Sequence, residues 1–148
     1  MPGPNEPLTK RLSFLGKELR ESFQGLLAEH GCTLPTWAVL THAQSTPGLS
    51  QVQLAARIGI EGPTLARHLD RLCAEGLVAR RRDELDRRIV RIELTEVGAK
   101  RWAQLKDVAT TMEARLTRYM SNDQRLALSA AIDSIHRALE DAHARDRD

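Results

Sequence analysis

Between residues 50 and 94 the chain carries a dense series of helix starts, stops and reversals that few folds accommodate. Ser50 followed by Gln53 reads as a capping box, in which the serine caps an exposed amide and the glutamine reaches back. A short helix comes next, with Val52, Leu54, Ala55 and Ile58 as its expected apolar side. Gly59 permits a tight turn. Gly62-Pro63 restarts the helix, because proline suits the first helical turn, where its missing N–H is no loss. The second helix is expected to run to about Glu75, with Leu65, Leu69, Leu72 and Cys73 on one face and Gly76 ending it. Two short helices joined by a glycine-bearing turn make a helix-turn-helix.

Beyond Gly76 the chain is extended. Leu77 to Arg82 leads into a charged tip, Asp83 to Arg88, and from Val90 to Leu94 apolar and charged residues alternate as in a half-exposed strand. A β-hairpin with a basic tip directly behind a helix-turn-helix is a winged helix. The expected limits are about 50–76 for the helix-turn-helix and about 77–94 for the wing, within a DNA-binding part spanning 33–95 of one 148-residue domain.

The flanks are helical. Apolar residues at 8, 12, 15, 19, 23 and 26 mark an amphipathic helix. Thr33 caps a second one, with Pro35 in its first turn and Trp37, Val39 and Leu40 on its apolar side, and Ser45-Thr46-Pro47-Gly48 breaks it. Thr95 opens a long helix carrying Leu105, Val108, Met112 and Leu116. Ser121-Asn122-Asp123 breaks and recaps it, and Leu128, Ile132, Ile135, Leu139 and Ala142 then recur at nearly heptad spacing. The fold class is therefore mainly α, an α+β winged helix-turn-helix with outer helices at both ends. Helices 8–30 and 96–145 are too long for so small a body to cover. A second copy of the chain is the expected cover, which makes them dimerisation helices of a homodimer.

Composition removes other classes. Aromatics are 3% of the chain, too few for a platform that stacks single-stranded bases. No apolar run is long enough to span a bilayer and Met1 to Pro7 lacks a signal pattern, so a cytoplasmic protein with no membrane partner is expected. Cys32 and Cys73 have neither disulfide-framework nor zinc-ligand spacing, and the histidines are scattered, so neither metal nor cofactor is expected. No nucleophile with a base, paired carboxylates or phosphate loop is present, which argues against an enzyme. A helical adaptor without DNA binding is the remaining alternative, and it has no use for outward arginines. The net charge of +2 is unevenly spread: residues 57–91 hold nine arginines against six acids, a local +3, whereas residues 121–148 hold four against six, a local −2. A basic segment between neutral or acidic flanks suits a phosphate-facing surface.

Three stretches together resemble the MarR/SlyA family of bacterial transcription regulators. They are Leu-Ser-Gln-Val-Gln-Leu-Ala-Ala-Arg-Ile-Gly-Ile-Glu (49–61) with Gly-Pro-Thr-Leu-Ala-Arg-His-Leu-Asp-Arg-Leu (62–72), then Glu-Gly-Leu-Val-Ala-Arg (75–80). The third is Asp86-Arg87-Arg88 leading to Arg-Ile-Glu-Leu-Thr (91–95) and Gly98. The resemblance runs from about Leu8 to Arg145. It implies a homodimeric repressor on a pseudo-palindromic double-stranded operator, released by a small aromatic or phenolic effector. Arg67, on the face opposite Leu65, Leu69 and Leu72, is then expected to donate to a guanine edge in the major groove. Thr64, His68 and Arg71 are expected to share that outward face, with Pro63 at the start of the helix. Arg87 is expected in the minor groove, with Asp86 bracing it or a neighbouring arginine. Arg81, Arg82 and Arg88 are expected phosphate contacts, as are Ser50 and Gln51 at a helix N-terminus. Trp37, His42 and the start of the first helix approach the zone where ligand-responsive relatives hold their effector, and Trp37 can serve there as core and as pocket wall at once. Cys73 is expected to be a buried core thiol. Cys32 lacks the adjacent tyrosines of peroxide-sensing relatives, because Tyr119 is the one tyrosine and lies in another segment.

Overall fold

The computed structural model describes residues 1–145; Asp146 and Asp148, which contribute to the acidic count of the last segment, lie outside the described residues. Eight elements run in chain order: α1 (Leu8–Glu29), α2 (Leu34–Ser45), α3 (Gln51–Ile58), α4 (Gly62–Ala74), β1 (Val78–Arg82), β2 (Val90–Leu94), α5 (Glu96–Thr117) and α6 (Asn122–Arg145). They divide into two units, Met1–Thr110 and the remainder from Thr111. No helix among the described residues is long and apolar enough to cross a membrane.

Local chemistry sets the boundaries. The Thr33 hydroxyl caps α2 by accepting from the Thr36 amide, with Pro35 in the first turn. The Ser50–Gln53 capping box forms in both directions: Gln53 N donates to Ser50 Oγ at 3.1 Å and Ser50 N to Gln53 Oε1 at 2.9 Å. Gly59 takes φ +75°, the left-handed conformation that lets α3 end and α4 start soon after. Pro63 then sits in the first turn of α4.

The core of the first unit is the leucine stripe of α4 against its neighbours. Leu65, Leu69 and Leu72 are fully buried, as are Val39 and Leu40 of α2, Leu54 of α3, Ile92 of β2 and Leu27 of α1. Two expected core positions differ. Val52 is 80% exposed, because it lies two residues before Leu54 and a helix turns about 200° over that interval. Cys73 is only half-buried: one step past Leu72 carries it to the flank of the stripe, and the buried thiol is Cys32.

β1 and β2 pair antiparallel, in register from Val78 opposite Leu94 to Arg82 opposite Val90. A third partner was not evident from sequence: Ser50 bridges Arg91, and Ile92 N donates to Leu49 O at 2.9 Å. The wing is thereby stitched to the start of α3. At its base, Thr95 Oγ1 donates to Gly76 O at 2.6 Å and accepts from Gly98 N at 3.0 Å. Gly98 is buried so tightly that a Cβ there would stand 1.9 Å from the Leu77 carbonyl oxygen.

In the second unit, α6 opens with another reciprocal cap, Ser121 with Gln124, and buries no residue.

Candidate nucleic-acid interface

Helix α4 and the wing bring the basic segment together, and the geometry sorts its arginines into tied and untied. Arg80 reaches from β1 to α4, pairing with Asp70 and donating to Ala66 O at 3.0 Å. Arg81 pairs with Glu93 across the hairpin at 2.7 Å. Arg91 pairs with Asp83 and donates to Gly48 O at 2.8 Å. Arg57 donates to Thr46 Oγ1 at 2.8 Å. Arg71, expected on the outward face, instead donates to Thr36 Oγ1 of α2 at 2.8 Å, with its Nε 3.8 Å from Glu75. Its long side chain lies back over the α2 edge of α4, where a buried hydroxyl supplies an acceptor.

Among the described residues, Arg67 and Arg87 alone in this segment keep side chains with no protein partner. Asp70, the carboxylate one turn from Arg67, is already taken by Arg80. Asp86 braces Arg88 rather than Arg87: Arg88 Nε and Nη2 reach its two oxygens at 3.0 and 2.9 Å. That fork, with the Arg88 amide, holds the Asp86 carboxyl below the usual carboxylate range and pushes the Arg88 guanidinium pKa up. Arg82 makes only a 3.5 Å contact to the Arg87 carbonyl.

The tip that carries Arg87 is a fixed turn. One oxygen of Asp83 accepts from the amides of Leu85 and Asp86 at 2.9 and 3.0 Å while the other meets Arg91. These donors, first the Asp86 amide, then Arg91 and the Leu85 amide, lower the Asp83 pKa. A turn so braced fixes the backbone that carries the exposed Arg87, leaving the side chain's own rotamers as the freedom to be lost on binding.

Three of the expected contact residues converge on one groove of about 410 Å³, lined by Ser50, Gln51 and Arg88 together with Val52, Gly62, Ile89 and Val90. The N-terminus of α3 opens here beside a guanidinium, an arrangement suited to a phosphate oxygen. Thr64 is exposed in the first turn of α4 with Pro63. His68 is half-buried, because 100° per residue sets it on the shoulder toward Leu65 and Leu72 rather than beside Arg67.

Trp37 and His42 do not line a second, larger groove of the first unit. That groove, about 600 Å³, lies between α1 and α2 and reaches Ile58 and Ile60, with Leu19, Phe23, Leu34, Pro35 and Ala38 as apolar walls and Arg20 and Gln24 as polar ones. Trp37 stands behind the wall, its ring edge-on to Phe23 at 6.1 Å. Trp37 and Ala38 are neighbours in sequence but 100° apart on the helix, so Ala38 lines this groove while Trp37 packs against Phe23. No group of three metal-ligating side chains gathers among the described residues.

A family model described as the MarR family matches residues 30–89, the segment from the end of α1 through the wing tip. Among solved structures, the chain is similar to a transcriptional repressor, CouR, bound to a 23-mer DNA duplex. The two share 31% identity over 88% of this chain and 92% of that one, with a TM-score of 0.80. A MarR transcriptional regulator from Methanosarcina mazei Go1 is 25% identical over 91% of this chain and 97% of its own, also at 0.80. A mutant MarR from E. coli complexed with operator DNA shares the fold at 23% identity, 87% and 93% coverage and a TM-score of 0.78. With the helix-turn-helix, wing and outer helices in the same order, the chain belongs to the MarR family of winged-helix, DNA-binding transcription regulators.

Proposed function

We propose that the protein is a homodimeric repressor that grips a pseudo-palindromic operator, with α4 in the major groove and the wing in the minor groove of each half-site. The observation that carries this reading is the sorting of the arginines. Arg67 and Arg87 are left unpaired while their neighbours are spent on holding the frame. An unpaired guanidinium on the outward face of a recognition helix suits guanine O6 and N7, and one on a rigid wing suits the negative potential of a narrow minor groove. Ser50, Gln51 and Arg88 are proposed to hold the backbone, with Arg82, Pro63 and Thr64 beside it; His68 is a lesser contact.

Dimerisation is supported by apolar side chains left open in the single chain: Leu8, Leu12, Leu15 and Leu19 on α1, and Leu128, Ile132 and Leu139 on α6, are 38–61% exposed. A second copy would cover both stripes. Release by a small aromatic acid is supported by the α1–α2 groove, which joins apolar walls to one guanidinium, Arg20, and ends on Ile58 and Ile60, the residues flanking the turn into α4. A cytoplasmic protein fits this activity.

The test is fluorescence anisotropy across a salt series, using a duplex that the wild-type protein selects from a random pool and a scrambled control. Arg67→Ala is expected to weaken selected-site binding by about 1–3 kcal/mol and relax preference at one base pair per half-site. Arg87→Ala is expected to flatten the salt dependence by about one unit per half-site. Wild-type binding by both variants at every salt concentration would remove α4 and the wing from the DNA.

A further inference from the structure

Thr36 is the one polar residue in the buried core among the described residues, 7% exposed, and its partner comes from the recognition helix. Its Oγ1 accepts from Arg71 Nη2 at 2.8 Å and from the Thr33 hydroxyl at 3.0 Å, and Thr33 Oγ1 in turn accepts the Thr36 amide at 3.3 Å. The capping hydroxyl of α2, a buried hydroxyl and a recognition-helix guanidinium thus form one chain of hydrogen bonds. On the other flank of α4, Arg80 holds Asp70 and the Ala66 carbonyl. At 100° per residue, Arg67 lies on the helix surface between Asp70 and Arg71. Two guanidinium straps therefore flank the untied arginine, one from the wing and one to α2.

A helix packed only through leucines has some freedom to turn about its axis, because apolar contact is not directional. A hydrogen bond to a buried hydroxyl is directional, and the Thr33 hydroxyl holds this acceptor in place for it. We propose that Arg71 is a positioning residue: bound to Thr36, it sets the rotation of α4 and so the direction in which Arg67 points, without touching DNA itself. The inference rests on the proposed major-groove role of Arg67.

A phosphate contact and a positioning contact separate in the same salt series. Thr36→Val keeps the shape and every charge but removes the acceptor of Arg71. It is expected to lower the ratio of selected to scrambled binding about tenfold while leaving the salt slope at the wild-type value. Thr36→Ser, which keeps the hydroxyl, is expected to restore the ratio. Arg71→Gln is expected to match Thr36→Val, and the double variant to be no worse than either, since both break one contact. The inference is overturned if Arg71→Gln flattens the salt slope by about one unit per half-site, or if Thr36→Val discriminates as wild type. Should Thr36→Val melt below the assay temperature, the salt slope of Arg71→Gln decides alone. Arg67→Ala in the same plate tests the parent reading separately: wild-type discrimination by that variant removes Arg67 from the groove whatever Thr36 does.

Discussion

Leu65, Leu69 and Leu72 in α4 and Leu128, Ile132 and Leu139 in α6 each fall on one side of a helix, at steps of four and three in α4 and of four and seven in α6, and have opposite surroundings. The first three are fully buried within their own unit, while the last three are 48–55% exposed. Periodicity alone reports that a helix has an apolar side, and it is silent on which molecule covers that side. The α4 stripe is closed by residues of its own unit, whereas the α6 stripe buries nothing within the described chain. The α4 stripe is therefore covered from within, and the α6 stripe is what the proposed second copy would cover.

The contrast breaks most visibly in the core. Leu69→Ala is expected to destabilise the protein by about 2–5 kcal/mol, read by denaturant unfolding, because a full leucine cavity opens beneath the recognition helix. A loss below about 1 kcal/mol would mean that α4 is not closed by its own unit. Ile132→Glu asks the converse question of α6. With a carboxylate in the proposed seam, sedimentation at micromolar concentration is expected to show monomer where wild type shows dimer. An unchanged dimer would place the seam elsewhere.

The two cysteines give a smaller contrast inside the body. Burial pushes the Cys32 thiol up, against partial opposition from Arg101, so it offers little thiolate at neutral pH. Half-buried Cys73 is expected to take up iodoacetamide first, as read by mass spectrometry of the folded protein. Equal rates would mean that the α1–α2 turn opens readily. The smallest effect concerns acid. The Asp83 carboxyl titrates below its usual range when the wing is formed, so its contribution is present at and above ordinary carboxylate values and fades only as pH falls through the lowered one. Amide exchange at Leu85 and Asp86 is expected to stay slow until that point, and Asp83→Asn to exchange faster with no acid step. An acid step surviving in Asp83→Asn would assign the titration to another group.

What the sequence disclosed and what it hid divide along the same physical line. The Ser50–Gln53 box, the tight turn at Gly59, Pro63 in the first turn of α4 and the hairpin of the wing were legible because each is decided within a short stretch of chain. The straps were not. Arg71 finds Thr36 across 35 positions and Arg91 finds Gly48 across 43, and no local pattern encodes such pairings. A basic run could therefore be read as a phosphate-facing surface, but not divided into the arginines that hold the frame and the two left over. His68, Val52 and Cys73 show a related limit: each lies within one turn of the true stripe, and only packing reveals on which side of its edge it falls. The walls of the α1–α2 groove were hidden for a related reason: Phe23 and Trp37 read alike as apolar helix positions, and only Phe23 lines the groove.

Gly98 has a consequence for how a signal would travel. Its missing side chain lets the first turn of α5 lie directly on the Leu77 carbonyl, and Thr95 ties the same turn to Gly76 at the end of the recognition helix. Backbone lies against backbone at this point, with the Leu94 side chain beside it. A displacement of the beginning of α5 would therefore bear directly on the base of the wing and the tail of α4. Any larger residue at 98 would have to lever the first turn of α5 away from the Leu77 carbonyl.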